Sequence, residues 1–169
     1  MQRVARFEKV SFEKFAEGMK DFPAYSAQQV REIYDRITLP VRATAGSAGY
    51  DFKSPIDFTL QPGETIKFPT GIRSCMLEDW VLCMFPRSGL GFKYRLQLNN
   101  TVGIIDSDYY YSDNEGQIFV KLTNDSNEGK TVEIHAGDGV LQGIFLPYGI
   151  TEDDDVKSVR NGGFGSTGH

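Results

Sequence analysis

Five short segments set glycines beside side chains that can meet phosphate, hold a proton or face a base: Gly46-Ser-Ala-Gly-Tyr-Asp51, Pro86-Arg-Ser-Gly-Leu90, Gly103-Ile-Ile-Asp-Ser-Asp-Tyr109, Gly137-Asp-Gly-Val-Leu-Gln142 and Arg160-Asn-Gly-Gly-Phe-Gly-Ser-Thr-Gly168. Each alone reads as a tight turn between strands. Together they ask for more, since a turn has no use for Arg87 beside Ser88, or for Ser166 and Thr167 between glycines. The last segment joins a cation (Arg160), a ring (Phe164) and small hydroxyls on a backbone free enough to wrap a ligand, so it could cover phosphates and a base together. Asp106 follows Ile104 and Ile105, which should embed it at a strand end. Otherwise Asp106, Asp108 and Asp113 form a solvated acidic turn, and Asp51 is a turn or capping aspartate.

Several rival chemistries are excluded. Gly163 to Gly168 formally spells G-x-G-x-x-G, yet only His169 follows, so no helix can present its N-terminus to a pyrophosphate. No G-x-x-x-x-G-K-[ST] occurs either. Cys75, Cys83, His135 and His169 cannot supply a standard structural zinc site, and there is no H-x-E with P-C-x-x-C for a zinc deaminase. The cysteines read as ordinary buried thiols. A net charge of −5 and a pI near 5.0 argue against bulk binding to nucleic acid, so phosphate recognition must be local. No apolar run approaches the length of a membrane span. Met1 to Lys20 mixes charged with apolar residues, so a secretory signal is not expected and a cytoplasmic location is.

The elements that must position these segments follow from the pattern of apolar residues. A chain of 169 residues, 40% hydrophobic and 24% charged, suits one soluble domain. Its 18 glycines, roughly 11% against about 7% usually, are the anomaly, and their placement marks the candidate site. Ser26 with Gln29 forms a capping box ahead of Val30, Ile33 and Tyr34, predicting a helix from Ser26 to Asp35. A weaker helical pattern, Phe12, Phe15 and Met19, should stop near Asp21 to Pro23. From Ile37 the period becomes two: Ile37, Leu39 and Val41, then Phe58 and Leu60, Ile66 and Phe68, Ile118 to Leu122, Val132 and Ile134. Val81 to Phe85 is continuously apolar, as in a strand buried on both faces. Short strands without intervening helices predict an all-β chain, a jelly-roll-like antiparallel sandwich or barrel. The acidic run Glu152 to Asp155 begins a solvated linker to a flexible glycine-rich tail.

In this order the five segments resemble the motifs of the homotrimeric dUTPase family, over about Ile37 to Gly168. The resemblance implies a jelly-roll subunit, three active sites at subunit interfaces, and magnesium-assisted hydrolysis of dUTP to dUMP and pyrophosphate, which keeps uracil out of DNA. It implies that Asp51 holds a magnesium-bound water and that Gln142 reaches the metal's water shell and the phosphates. Arg87, Ser88 and the amide of Gly89 would contact the phosphates, where the planar fork of Arg is apt. Asp106 would be the general base for water attacking the α-phosphorus. Tyr109 would pack on the deoxyribose and exclude a 2′-hydroxyl. Asn100 would help hold uracil, with main-chain groups of the hairpin that runs to Gly103. Arg160, Phe164, Gly165, Ser166 and Thr167 would cover the nucleotide.

The sequence departs from the family's usual form in three places. Tyr110 to Glu115 intervene between Tyr109 and Gly116, Arg160 stands one residue closer to Phe164, and the helical stretch before Ile37 exceeds the usual N-terminal strand. The expected organisation is a strand/helical extension over 1–36, a β core over 37–151, and a linker and tail over 152–169. The expected partners are dUTP and two further copies of the chain, with neither nucleic acid nor membrane; a protein partner of the extension stays unknown. Two other readings stand beside it: a zinc-free dCTP deaminase of the same fold, for whose catalytic glutamate Glu115, in a polar insertion, is the only nearby candidate, and a nucleotide-binding regulatory protein using its N-terminal helices to bind a protein partner.

Overall fold

The computed structural model describes residues 1–160. Phe164, Gly165, Ser166 and Thr167, and with them most of the expected covering tail, lie outside the described residues. In chain order the elements are β1 (Ala5–Lys9), α1 (Phe12–Gly18), a 3-10 turn (Met19–Asp21), α2 (Ala27–Arg36), β2 (Val41–Arg42), β3 (Tyr50–Lys53), β4 (Phe58–Leu60), β5 (Thr65–Pro69), β6 (Ile72–Met76) and β7 (Trp80–Pro86). There follow α3 (Ser88–Tyr94), β8 (Leu96–Leu98), β9 (Gly103–Ile105), a 3-10 turn (Ser107–Tyr111), β10 (Phe119–Asn124), β11 (Val132–Ile134) and β12 (Gly139–Pro147). The strands pair antiparallel in four sheets, ordered β2-β3-β12-β7-β9, β5-β10-β8, β11-β4 and β1-β6. This is the expected all-β, jelly-roll-like arrangement, in sheets that do not close into a barrel.

Alternation becomes strand where one face meets the core. Phe58 and Leu60 of β4 bury against Val132 and Ile134 of β11, and Val120 and Leu122 of β10 lie inside with Phe68 of β5. The expectation fails at Ile37 to Val41, where only Val41–Arg42 is strand. Pro40 offers no amide to a ladder, Ile37 caps α2, and Leu39 and Val41 stay exposed, so the alternation has no buried side to satisfy. The sequence also hid α3, which opens on Ser88 directly after the apolar run of β7. In β7 itself only Leu82, Cys83 and Met84 are buried, so the strand is covered on both faces at its centre alone.

The N-terminal helices belong to the same core. Ser26 and Gln29 form the anticipated capping box, with Ser26 Oγ accepting from the Gln29 amide at 3.3 Å and Gln29 Oε1 accepting from the Ser26 amide at 2.8 Å. Val10, Phe15, Met19, Val30 and Ile33 join Phe52, Phe68 and Leu82 in one buried cluster. Ser11 caps α1 by accepting from the Lys14 amide. The segment Tyr110 to Glu115 is a closed excursion. Its far end, Gly116, has φ +70°, and a Cβ there would lie 2.7 Å from both the Tyr109 carbonyl oxygen and Tyr110 Cα. The sequence gap between Tyr109 and Gly116 therefore closes in space, as only glycine permits.

Two outcomes test this packing. Phe15→Ala should lower stability by about 3–5 kcal/mol in urea unfolding while leaving a single transition, because a ring buried at the centre is replaced by a void. At the β1 edge, hydrogen bonds from Arg6 and Tyr110, outweighing desolvation and aided by the charge of Arg73, hold the Glu8 carboxyl below the usual carboxylate range. A depressed folded value means that Glu8 contributes fully above its unfolded pKa of about 4.3, and the contribution fades as pH falls through the lower folded value. Glu8→Gln should therefore flatten the acid-side loss of urea midpoint below about pH 4.3.

Candidate active site

The five-stranded sheet sets the site through its register. Gln142 of β12 lies opposite Asp51 of β3 and Phe85 of β7, so the three side chains share one face. Arg87 follows β7, and its Nε lies 3.4 Å from Asp51 Oδ1. Asp51, Arg87, Ser88 and Gln142, with Ser47, Ala48 and Gly49, line a cleft of 370 Å³. Ser88 opens α3 and Gly89 follows it in the first turn, where helical amides lack intrahelical acceptors. The structure thus brings together Asp51, Arg87, Ser88, Gly89 and Gln142 from three separate segments. An arginine fork, a hydroxyl and free amides beside one carboxylate suit a phosphate chain.

Sequence reasoning missed two residues that shape this cleft. A Cβ on Gly139 would collide with Nη1 of Arg87, so glycine there leaves the guanidinium its place. A Cβ on Gly49 would lie 2.7 Å from Gln142 Oε1 and fill the space before that amide. Both belong to the glycine-rich segments, but only a fold showing what faces each glycine separates these two from turn glycines.

The residues expected to recognise the base lie elsewhere. Asn100 is in the turn from β8 to β9, strands of two different sheets, where Thr101 adopts φ 66° and donates its amide to the Leu98 carbonyl at 2.9 Å. Asn100 and Gly103 line an apolar pocket of 250 Å³ with Met84, Leu98, Ile105 and Ile118. Its size and lining suit a flat heterocycle. Asp106 follows β9 in extended conformation; Ile105 is buried, but Ile104 points outward and the Asp106 side chain is 48% exposed, so the expected embedding fails on one side because the outer face of the sheet is open there. Arg160 is ion-paired with Asp106 and, at 2.8 Å, with Asp108, and its Cζ stands 5.9 Å from the centroid of the Tyr109 ring. Tyr109 is 3% exposed, its hydroxyl donating to the Gln117 carbonyl at 2.6 Å. Burial, against the hydrogen bond from Asn114 and the charge of Arg160, pushes its phenol pKa up, so it is a neutral ring at physiological pH.

These two halves do not meet within one chain. Ile105 pairs with Leu82 and Gly103 with Met84, so Asp106 stands beside Val81 at the start of β7, while Arg87 stands past its end. Six strand residues separate them, about 20 Å. Both nevertheless lie on the same face, since Ile104 pairs with Cys83, Cys83 with Ile144, and alternation carries that face to Asp106 in one direction and to Gln142 in the other. Between the two corners the face is apolar and partly open, with Ile104 51% and Leu146 42% exposed beside Phe85 and Ile144.

Glu115, the glutamate a deaminase of this fold would need, accepts from the Ser11 amide at 2.7 Å and is absent from the lining of the Asn100 pocket. Among the described residues no group of three or more acidic, His or Cys side chains could hold a metal ion, and no helix is long and apolar enough to cross a membrane.

An antiparallel β fold with a cleft suited to phosphate and a carboxylate at opposite corners of one sheet face places the chain among β-sheet proteins equipped to bind nucleotides. The dUTPase family model matches residues 35–168. The chain is 42% identical over 135 residues to the deoxyuridine 5'-triphosphate nucleotidohydrolase of Lactococcus lactis, covering 78% of this chain and 89% of that one. The enzyme of the same name from Hahella chejuensis is 39% identical over 146 residues, covering 82% and 91%. Among solved structures it resembles the dUTPase of Streptococcus mutans, with TM-score 0.63, 34% identity, and coverage of 86% of this chain and 98% of that one. A mutant dUTPase from phage phi11 of S. aureus, described with a structural Mg(II) ion, shares the fold at TM-score 0.63 and 19% identity, covering 92% and 98%. The chain belongs to the dUTPase family and is a dUTP diphosphatase, hydrolysing dUTP.

Gly139→Ala tests the cleft. The new methyl meets only the mobile end of Arg87, so stability should stay close to the parent while KM for dUTP rises roughly tenfold or more, as a displaced charge-assisted contact predicts. Steady-state kinetics beside a thermal melt checks it.

Proposed function

We propose that hydrolysis takes place at sites shared between subunits of a homotrimer, Asp106 of one copy facing the Asp51, Arg87 and Gln142 cleft of the next. The observation that carries this reading is the separation of those groups to opposite corners of one partly apolar sheet face. A second copy packed on that face would bury Ile104, Ile144 and Leu146 and bring unlike corners together, a head-to-tail contact that closes into a ring.

At such a site Arg87, Ser88 and the Gly89 amide hold the phosphates, and the pocket of Asn100 and Gly103 takes uracil. Asp106 orients the attacking water and accepts its proton as oxygen bonds to the α-phosphorus and the bond to the pyrophosphate oxygen breaks. Arg160, resting on Asp106 and Asp108, gives way when nucleotide enters and turns to the phosphates. Phe164, Gly165, Ser166 and Thr167 then close over the base and phosphates, and Tyr109 lies against the deoxyribose.

Magnesium fits the donor set as a hydrated ion. One carboxylate, Asp51, and one amide oxygen, Gln142 Oε1 in the space that Gly49 leaves open, make no protein cage, but they match a metal held chiefly by water and substrate phosphates. When bound it neutralises phosphate charge and stabilises the departing pyrophosphate. A cytoplasmic setting accords with Cys75 and Cys83, both free thiols.

Two measurements test the reading. Asp106→Asn should retain fold and nucleotide binding and lose about 10²–10⁴-fold in kcat. Refolding Asp106→Asn and Arg87→Ala chains together at equal amounts should recover about a quarter of the parental activity, because each mixed ring closes one intact site in three. No recovery from a mixture shown to be trimeric by light scattering places both residues in one chain's site and refutes the sharing.

A further inference from the structure

Two of the three departures from the usual dUTPase pattern, the N-terminal helices and the Tyr110 to Glu115 excursion, grip each other, and both converge on Tyr109. Asn114 Nδ2 donates to the Tyr109 hydroxyl at 2.8 Å, and that hydroxyl donates to the Gln117 carbonyl at 2.6 Å. Asn114 Oδ1 accepts from the Gly116 amide at 3.1 Å, locking the side chain in the turn that closes the excursion. The next residue, Glu115, holds φ 59°, an uncommon conformation for a residue with a side chain, and from it reaches the Ser11 amide at 2.7 Å. Gln117, 1% exposed, donates to the Lys14 carbonyl of α1 at 2.9 Å. Tyr110 donates to Glu8 of β1 at 2.8 Å. Both backbone segments flanking Tyr109 are therefore tied to the extension, and its phenol is held by the excursion.

We propose that Asn114 and Glu115 are specificity-positioning residues: through them the extension and the excursion fix the plane of the Tyr109 ring, and thereby the discrimination of deoxyribose from ribose. The inference rests on the reading that Tyr109 lies against the sugar. A ring excludes a 2′-hydroxyl only as firmly as its own position is held, because a ring free to tilt makes room for one oxygen at little cost. Hydrogen bonds at the far end of the ring supply that stiffness without touching the nucleotide. Asn114 matters as a donor, since the Tyr109 hydroxyl spends its own hydrogen on Gln117 and needs a donor opposite.

The test is kcat/KM for dUTP and UTP with the full-length enzyme. Asn114→Ala should narrow the dUTP/UTP ratio roughly three- to tenfold, chiefly through faster UTP turnover, with kcat for dUTP within about twofold of the parent. Asn114→Asp, equal in shape and without the donor, should behave as Asn114→Ala. In a Tyr109→Phe background Asn114→Ala should change the ratio no further, as a double-mutant cycle requires if the two act through the phenol. Glu115→Gly frees the helix while relaxing a left-handed backbone position, and it should also narrow the ratio even if Asn114→Ala fails to fold. Should Tyr109→Ala narrow the ratio while Asn114→Ala and Glu115→Gly leave it intact, the positioning inference is wrong and the sugar reading stands. Should Tyr109→Ala itself leave the ratio unchanged, both fall.

Discussion

The register of β12 between β3 and β7 is the constraint on which this molecule depends. Because side chains alternate along a strand, pairing Gln142 with Asp51 and Phe85 places all three on the outer face and sends Leu141 into the core. A slip of β12 by one residue would bury Gln142, expose Leu141 and leave Asp51 on the outer face without it. Core burial and site assembly are thus the same event. The hydrophobic effect that holds Leu141, Phe52 and Leu82 inside also holds the phosphate cleft open on the other side.

The same sheet keeps the candidate site residues of one chain apart. β7 delivers Arg87 from its C-terminal end, while β9, running antiparallel, delivers Asp106 to its other end. No side chain spans that distance. The face between them is apolar where an isolated β sheet would be polar, and the functional groups stand at its corners. In the proposed trimer, packing a second copy on this face would complete the chemistry as well as cover apolar surface.

Much of this was legible in the residues. The capping box at Ser26, the alternating runs of β4, β5, β10 and β11, and the glycine segments with Arg87, Asp106 and Gln142 each carry a local signal. Strands such as β3 and β12 carry no such local signal, because β3 ends on charged Lys53 and β12 holds glycines at Gly139 and Gly143. Their strand character comes from neighbours, not propensity. The helix α3 was hidden for a similar reason: glycines at 89 and 91 weaken its propensity, and its Arg87 cap makes no side-chain hydrogen bond. The roles of Gly49 and Gly139 depend on what faces them across the sheet.

By itself the sequence determined the family and singled out the candidate groups in their order, since residue type and short spacing are local properties: the ordered motifs identified a dUTPase and marked Asp106, Arg87 and Gln142 as its candidate site residues. Tertiary structure alone decided how those groups are distributed and supported. It put Asp106 and Arg87 beside opposite ends of β7, returned Gly116 onto Tyr109 across a six-residue excursion, and tied that excursion and Gln117 behind it to α1, about a hundred positions away along the chain. These relations arise from contacts between residues far apart in the chain, set by which faces bury together. No local pattern encodes them, so they exist only once the sheets have packed.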